Sequence, residues 1–251
     1  MSDVLVDKQG RLGLITLNRP KALNALTTDM CDAILDALAE FERDDEIAVV
    51  IFDRVADSRA FCAGGDIRML ADSGNGDGTA ARAFFMAEYR MNHRLFTYAK
   101  PTVAVMDGIT MGGGVGIALA CKHRIATENT KFAMPETGIG LFPDVGGGWY
   151  LSRLPGRMGQ FMALTGARLD GAECRALGLA THYCDSAAVT GALAALEGAG
   201  DIAATLKTHG TGAPLARIVE NRGRIDRLFA GDDVATILSA LDADGSDWAA
   251  K

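Results

Sequence analysis

The stretch from Thr102 to Cys121, TVAVMDGITMGGGVGIALAC, constrains this chain more than any other. Thr102–Met106 is short, continuous and apolar, which is the signature of a buried strand. It runs into Gly112, Gly113 and Gly114, and the residues that follow predict a helix over about 113–121. A glycine turn between a buried strand and a helix lets backbone N–H groups approach a ligand closely, and the helix N-terminus adds partial positive charge. An N–H there can stabilise a developing oxyanion. Tight packing of strand against helix accounts for the same glycines without any ligand.

The pattern recurs along the chain. Residues 3–7 and 11–17 predict two strands around a Gln9-Gly10 turn, and Pro20 marks a loop. Thr27 or Thr28 can cap a helix through Glu42 with Met30, Ile34, Leu38 and Phe41 on one face. Residues 47–53 predict a buried strand, Asp66 opens a short helix, 72–79 a flexible loop, 80–98 a helix and 124–127 a strand. Strand, strand, helix, repeated, argues α/β. No GxGxxG follows the first strand, so a Rossmann fold is disfavoured. From residue 157 the chain turns mostly helical. It ends just after DGSDWAAK, which looks like the start of another helix, so a C-terminal portion is expected to be absent. The expected division is a core over 1–185 and a helical, incomplete region over 186–251.

The 251 residues suffice for a full hydrophobic core. A net charge of −7 argues against broad nucleic-acid binding, and no apolar run approaches the length of a membrane span. Five scattered cysteines without CxxC spacing fit reduced thiols in a cytoplasmic protein, and an acidic, strand-like N-terminus gives no sign of a signal peptide. The four histidines show no ligand spacing, so no metal is expected, and no GxSxG elbow is present.

Chemistry concentrates in Phe132–Tyr150, FAMPETGIGLFPDVGGGWY. Glu136 and Asp144 stand in an otherwise uncharged run, each directly after a proline. A buried carboxylate must find a partner or shift its pKa. Singly, each has a plainer role: Glu136 at a helix start, Asp144 capping a helix from Val145. A second glycine turn, Phe61-Cys62-Ala63-Gly64-Gly65-Asp66, could supply another N–H donor at Ala63, and losing one such donor costs about 3 kcal/mol. Asp66 reads best as a helix N-cap, Cys62 as a core residue, and Glu88 by default as part of a solvated helix face. Two carboxylates and two glycine turns together favour catalysis.

LNRPKALNAL, FCAGGDI, DGITMGGGVGIALAC and MPETGIGLFPDVGGG resemble the crotonase superfamily over almost the whole chain. The resemblance implies a spiral of ββα units with a helical C-terminal region. It also implies a coenzyme A thioester substrate, whose carbonyl is held by the N–H groups of Ala63 and Gly113. Ala22, Leu23 and Asn24, with Gly64, Gly65 and Asp66, would line that substrate, and Lys21 or Arg68 could meet its phosphates. Hydratases of the superfamily carry a glutamate where this chain has Gly116, and commonly glycine where it has Asp144.

ITMGGGVG and MPETGIGLFPDVGGGWYLSRLPG resemble instead the 3-hydroxyisobutyryl-CoA hydrolases of valine breakdown, which usually continue past this length. That likeness implies Glu136 and Asp144 as the catalytic pair and Glu88 as a substrate-binding residue. No cofactor is implied beyond the coenzyme A of the substrate. Superfamily members often form trimers or hexamers. Hydratase or isomerase activity stays open as an alternative, as does an inactive acyl-CoA-binding protein.

Overall fold

The computed structural model describes residues 2–250. Strands β1 (Val4–Gln9) and β2 (Leu12–Leu17) form an antiparallel hairpin, followed by α1 (Thr28–Arg43). Then come β3 (Val49–Arg54), β4 (Ala60–Cys62), α2 (Ile67–Gly74) and α3 (Thr79–Phe96). The next unit is β5 (Thr102–Met106), β6 (Ile109–Met111) and α4 (Gly113–Ala120). It is followed by β7 (His123–Ala126), β8 (Lys131–Ala133), α5 (Gly147–Leu151) and α6 (Met158–Thr165). The remainder is β9 (Leu169–Asp170), α7 (Gly171–Ala176), β10 (His182–Tyr183), α8 (Ser186–Ala194), α9 (Ile202–His209), α10 (Arg217–Glu220), α11 (Arg222–Leu228) and α12 (Val234–Asp244).

Two sheets result, ordered β1-β2-β3-β5-β7-β10 and β4-β6-β8-β9. The pairs β3/β4, β5/β6 and β7/β8 each place their first strand in the larger sheet and their second in the smaller, with helices after each pair. This is the ββα spiral. Among the described residues no helix is long and apolar enough to cross a membrane.

The central strands β3 and β5 of the larger sheet are buried on both faces, which explains their continuous apolar runs. Val50, Phe52, Ala104, Met106 and Ala126 join the main core with α1, α3 and α4. Their neighbours Val49, Ile51, Val103, Val105 and Ile125 face a second cluster under α8 and α9. Alternation on the pleat sends successive side chains to opposite sides, and both sides are dry.

Three local expectations change. The segment expected as a loop over 72–79 is helical to Gly74, because the Asp66 carboxylate accepts from the Arg68 and Met69 N–H groups and starts a helix that runs on. The helix expected at Val145 begins at Gly147, since Val145 (φ +43°) and Gly146 (φ +89°) are left-handed. Asp144 is therefore not its N-cap. The helical tail from 157 also contains the two short strands β9 and β10.

One buried side chain ties the N-terminal loop to the smaller sheet. Asn24, fully buried at φ +54°, accepts from the Arg19 N–H at 2.8 Å. Its amide donates to the Ala60 and Phe61 carbonyls at 2.9 and 3.0 Å and to Ser58 Oγ at 3.2 Å. Asn tolerates the left-handed backbone that alanine resists. Asn24→Ala is expected to cost about 2–4 kcal/mol in denaturant unfolding, from several buried groups left unpaired plus backbone strain. A loss below about 0.5 kcal/mol would show that the anchor is dispensable.

Candidate active site

The site is assembled where two glycine turns touch. The first leaves β4 as Ala63-Gly64-Gly65, and Leu26 grips it by donating to the Gly64 carbonyl and accepting from the Asp66 N–H, at 2.7 and 2.9 Å. The second is Gly112–Gly114, entering α4. A Cβ on Gly112 would lie 3.3 Å from the Gly64 Cα, and one on Gly114 would overlap the Cys62 carbonyl oxygen. Gly112 also adopts φ +50°. Only glycine allows both the approach and the turn.

This geometry corrects one expected donor. The Ala63 N–H already donates to the Leu23 carbonyl at 3.0 Å. Among the described residues the N–H groups of Gly65 and Gly113 have no backbone acceptor. Gly113 is the first residue of α4, where N–H groups lack intrahelical partners. The free pair is Gly65 with Gly113, not Ala63 with Gly113.

Three carboxylates lie around these turns. Glu136 is buried in a short 3₁₀ turn after Pro135, and among the described residues neither of its oxygens has a hydrogen-bond partner. A Cβ on Gly112 would lie 3.5 Å from its Oε1, so this carboxylate sits beside the second turn. Burial, with the Asp144 charge adding, raises its pKa to about 7. Asp144, half-buried, accepts from the Tyr89 hydroxyl at 2.7 Å. Burial raises its pKa, opposed by that hydrogen bond.

Glu88 departs from the solvated helix face expected of it, for it is 2% exposed. It shares the inward stripe of α3 with Phe84, Ala87, Met91, Asn92 and Leu95, and a Cβ on Gly113 would overlap its Oε1. Burial raises its pKa to about 8, with the charges of Asp144 and Glu136 adding. The sequence held the signal: Glu88 falls four residues after Phe84, on the apolar side of the helical period.

A cavity of about 670 Å³ opens beside Asp144, between α3 and the loop 142–150. Tyr89, Asn92, Phe96, Gly116, Trp149 and Tyr150 contribute to its wall. A Cβ on Gly116 would fall 2.7 Å from Val145 Cβ and 2.9 Å from Asn92 Nδ2. No larger residue fits at 116 without displacing them. Val145 itself is strained, a β-branched residue held left-handed next to Asp144.

The expected substrate contacts divide. Ala22 and Leu23 are half-buried beside Ala63 and stay available. Asn24 is sealed in its own hydrogen bonds and offers nothing to a ligand, which corrects its expected role. Asp66 caps α2 as read and is bound by Arg19 at 2.8 Å. Partial burial works against its ionisation, but Arg19 and the two capping amides hold its carboxyl below the ordinary range. Gly64 and Gly65 form the turn itself, and Lys21 and Arg68 are exposed. Tyr89 and Asn92 were not singled out from sequence. Both lie in AEYRMN, one and four residues after Glu88. Among the described residues no cluster of His, Cys, Asp and Glu could hold a metal.

The buried Glu88 carboxyl makes a signed prediction. Its pKa moves from 4.5 to about 8, so between those values the folded chain binds more protons than the unfolded one. Stability then falls as pH rises through that window. Glu88→Gln cannot ionise and is expected to be more stable than the parent at pH 8, by on the order of a few kcal/mol, with little difference at pH 4.5. A stability gap independent of pH would contradict this.

Comparison with known proteins fits this geometry. The family model described as enoyl-CoA hydratase/isomerase matches residues 12–251. The mitochondrial 3-hydroxyisobutyryl-CoA hydrolase of Danio rerio is 45% identical over all of this chain, which spans 68% of that protein. Two crystal structures superpose closely. One is of a carnitinyl-CoA dehydratase from Mycobacterium thermoresistibile, with TM-score 0.94, 42% identity, and 99% of this chain and 73% of that one covered. The other is of an enoyl-CoA hydratase from Rhodobacter sphaeroides, with TM-score 0.90, 43% identity, and 99% and 72% covered. With a family model spanning nearly all its length and relatives aligned across it, the chain belongs to the enoyl-CoA hydratase/isomerase family, in the crotonase superfamily.

Proposed function

We propose that this protein hydrolyses a short β-hydroxyacyl-CoA thioester, 3-hydroxyisobutyryl-CoA, to the free acid and coenzyme A, a step of valine breakdown. The observation that carries the reading is the closure of position 116. A hydratase needs a second glutamate there, and Val145 and Asn92 occupy the space its Cβ would take. The second carboxylate comes instead from Asp144, held by Tyr89. The 45% identity to a protein named as such a hydrolase supports the same substrate.

In this reading the thioester oxygen accepts hydrogen bonds from the N–H groups of Gly65 and Gly113. Negative charge develops on that oxygen as the carbonyl carbon becomes tetrahedral, and fixed amide dipoles stabilise it at no cost in reorganisation. Two routes use Glu136. As general base it takes a proton from water, whose oxygen bonds to the carbonyl carbon. The C–S bond then breaks and the proton passes to the leaving thiolate. As nucleophile its oxygen bonds to the carbonyl carbon and expels the thiolate, and water then cleaves the resulting anhydride. Asp144 orients the β-hydroxyl or relays the proton, with Tyr89 fixing its direction. Glu88, deep behind Gly113, contacts the substrate at the same turn.

A second reading, hydration or dehydration of an enoyl-CoA, draws on the names of the two superposed structures. Incubation with 3-hydroxyisobutyryl-CoA and with crotonyl-CoA separates the two, since only hydrolysis frees a thiol. Release of thiol from the first is expected. Hydration of crotonyl-CoA without thiol release would overturn the proposal. A single turnover in oxygen-18 water distinguishes the routes, because label enters Glu136 only if it attacks.

Glu136 must be ionised on either route. Its raised pKa predicts that thiol release climbs as pH passes through about 7 and is lost below it. Glu136→Gln is expected to lower the rate by about 10²–10⁴-fold, and Asp144→Asn to do likewise. Unchanged turnover in the Glu136→Gln variant would remove this carboxylate from the mechanism.

A further inference from the structure

Asn92 is a polar side chain that neither the fold nor the proposed reaction employs. It is 8% exposed, and among the described residues neither its Nδ2 nor its Oδ1 has a hydrogen-bond partner. Such a group is costly to bury unless something pairs with it. Its surroundings show where a partner would come from. Asn92 lines the cavity beside Asp144, one helical turn beyond Glu88. Both of its amide atoms face Gly116, whose added Cβ would lie 2.9 Å from Nδ2 and 3.0 Å from Oδ1. Glu88 sits over Gly113, at the turn that meets the thioester. Asn92 therefore stands one turn further along α3, on the wall of the cavity beside Asp144.

Resting on the thioester reading above, we propose that Asn92 selects the acyl group by hydrogen-bonding a hydroxyl carried on the chain beyond the carbonyl. A primary amide suits that group on both sides. The hydroxyl hydrogen donates to Oδ1 while a hydroxyl lone pair accepts from Nδ2, so one substituent satisfies both orphaned atoms. An unsubstituted chain satisfies neither and leaves the amide buried and unpaired. Sites built to bond a substrate hydroxyl discriminate strongly against analogues without it for this reason. Because Gly116 carries no side chain, the amide packs directly against its backbone, so the position that leaves no room for a hydratase glutamate is also the one on which the amide rests.

Binding tests this without relying on turnover. The probes are S-(2-oxoalkyl) thioethers of coenzyme A, which keep a carbonyl but cannot be hydrolysed, with and without a hydroxyl at the carbon matching C3. Calorimetry on the whole chain is expected to show the hydroxylated analogue bound at least tenfold more tightly. Asn92→Leu, of similar volume and without polar atoms, is expected to erase that preference while melting no lower than the parent. In the unaltered protein, the Asn92 side-chain amide resonances are expected to move with the hydroxylated analogue and far less with the plain one, a readout that needs no variant to fold. Equal binding of both analogues by the parent overturns the proposal, as does a preference that survives in Asn92→Leu. If the preference follows Asp144→Asn instead, that carboxylate is the reader and Asn92 is not. Failure of the hydrolysis reading would appear separately, as no thiol release from the true thioester with the binding preference intact.

Discussion

Contact between two glycine turns is the constraint on which this site depends. Gly64 and Gly112 approach so closely that a Cβ on Gly112 would press on the Gly64 Cα, and Gly114 leaves no room for a Cβ against the Cys62 carbonyl. Strands β4 and β6 are neighbours in the smaller sheet, so the turns that leave them emerge side by side. The free N–H groups of Gly65 and Gly113 follow from that pairing, one from each turn. Asn24 fixes the height of the first turn by holding the Ala60 and Phe61 carbonyls just before it. In the proposed reaction the main chain thus makes the oxyanion-binding element, and the side chains only lock it in place.

Around that element the protein gathers acidity that it does not neutralise. Among the described residues Glu88 Oε1 and both Glu136 carboxylate oxygens are buried without a partner, and Asp144 is held by the Tyr89 hydroxyl. Among the described residues no arginine or lysine forms an ion pair with any of the three. Carboxyls that raise one another's pKa share protons, so their titration belongs to the group and not to single residues. Stability is given up for this, because an apolar side chain at Glu88 would pack without an ionisation penalty. The chain keeps the acid where it is costly, and such departures from good core design cluster where chemistry is done.

Position 116 is tightly closed in a frame that this chain shares with solved structures. The backbone closely matches solved structures named as a hydratase and a dehydratase, with TM-scores of 0.90 and 0.94. A glutamate two residues past the triplet would have to enter space held by Val145 and Asn92. Val145 keeps a left-handed conformation to stand there, and that same kink aims Asp144 toward Tyr89. In the proposed reaction Asp144 supplies the second carboxylate from beside this closed position.

Much of this was legible in the residues alone. Short β-branched runs, capped amphipathic helices and glycine-punctuated turns determined the α/β class, because local periodicity and turn chemistry act over a few residues, whereas the ββα spiral followed from the resemblance of the motifs to the crotonase superfamily. The runs around Glu136 and Asp144 marked the acids by their isolation among uncharged neighbours. What tertiary structure decided was which groups are already engaged. Ala63 and Gly65 stand two apart in one turn, and only the pairing of Ala63 with Leu23 shows that its N–H is committed while that of Gly65 is not. Glu88 and Asn92 fall on the apolar side of the α3 period, but what they face is set only when α4 and the 142–150 loop are laid against them, and Asn24 looks like a loop residue until β4 arrives to take its hydrogen bonds. Hydrogen-bond partnership belongs to segments distant along the chain, so no local pattern can carry it.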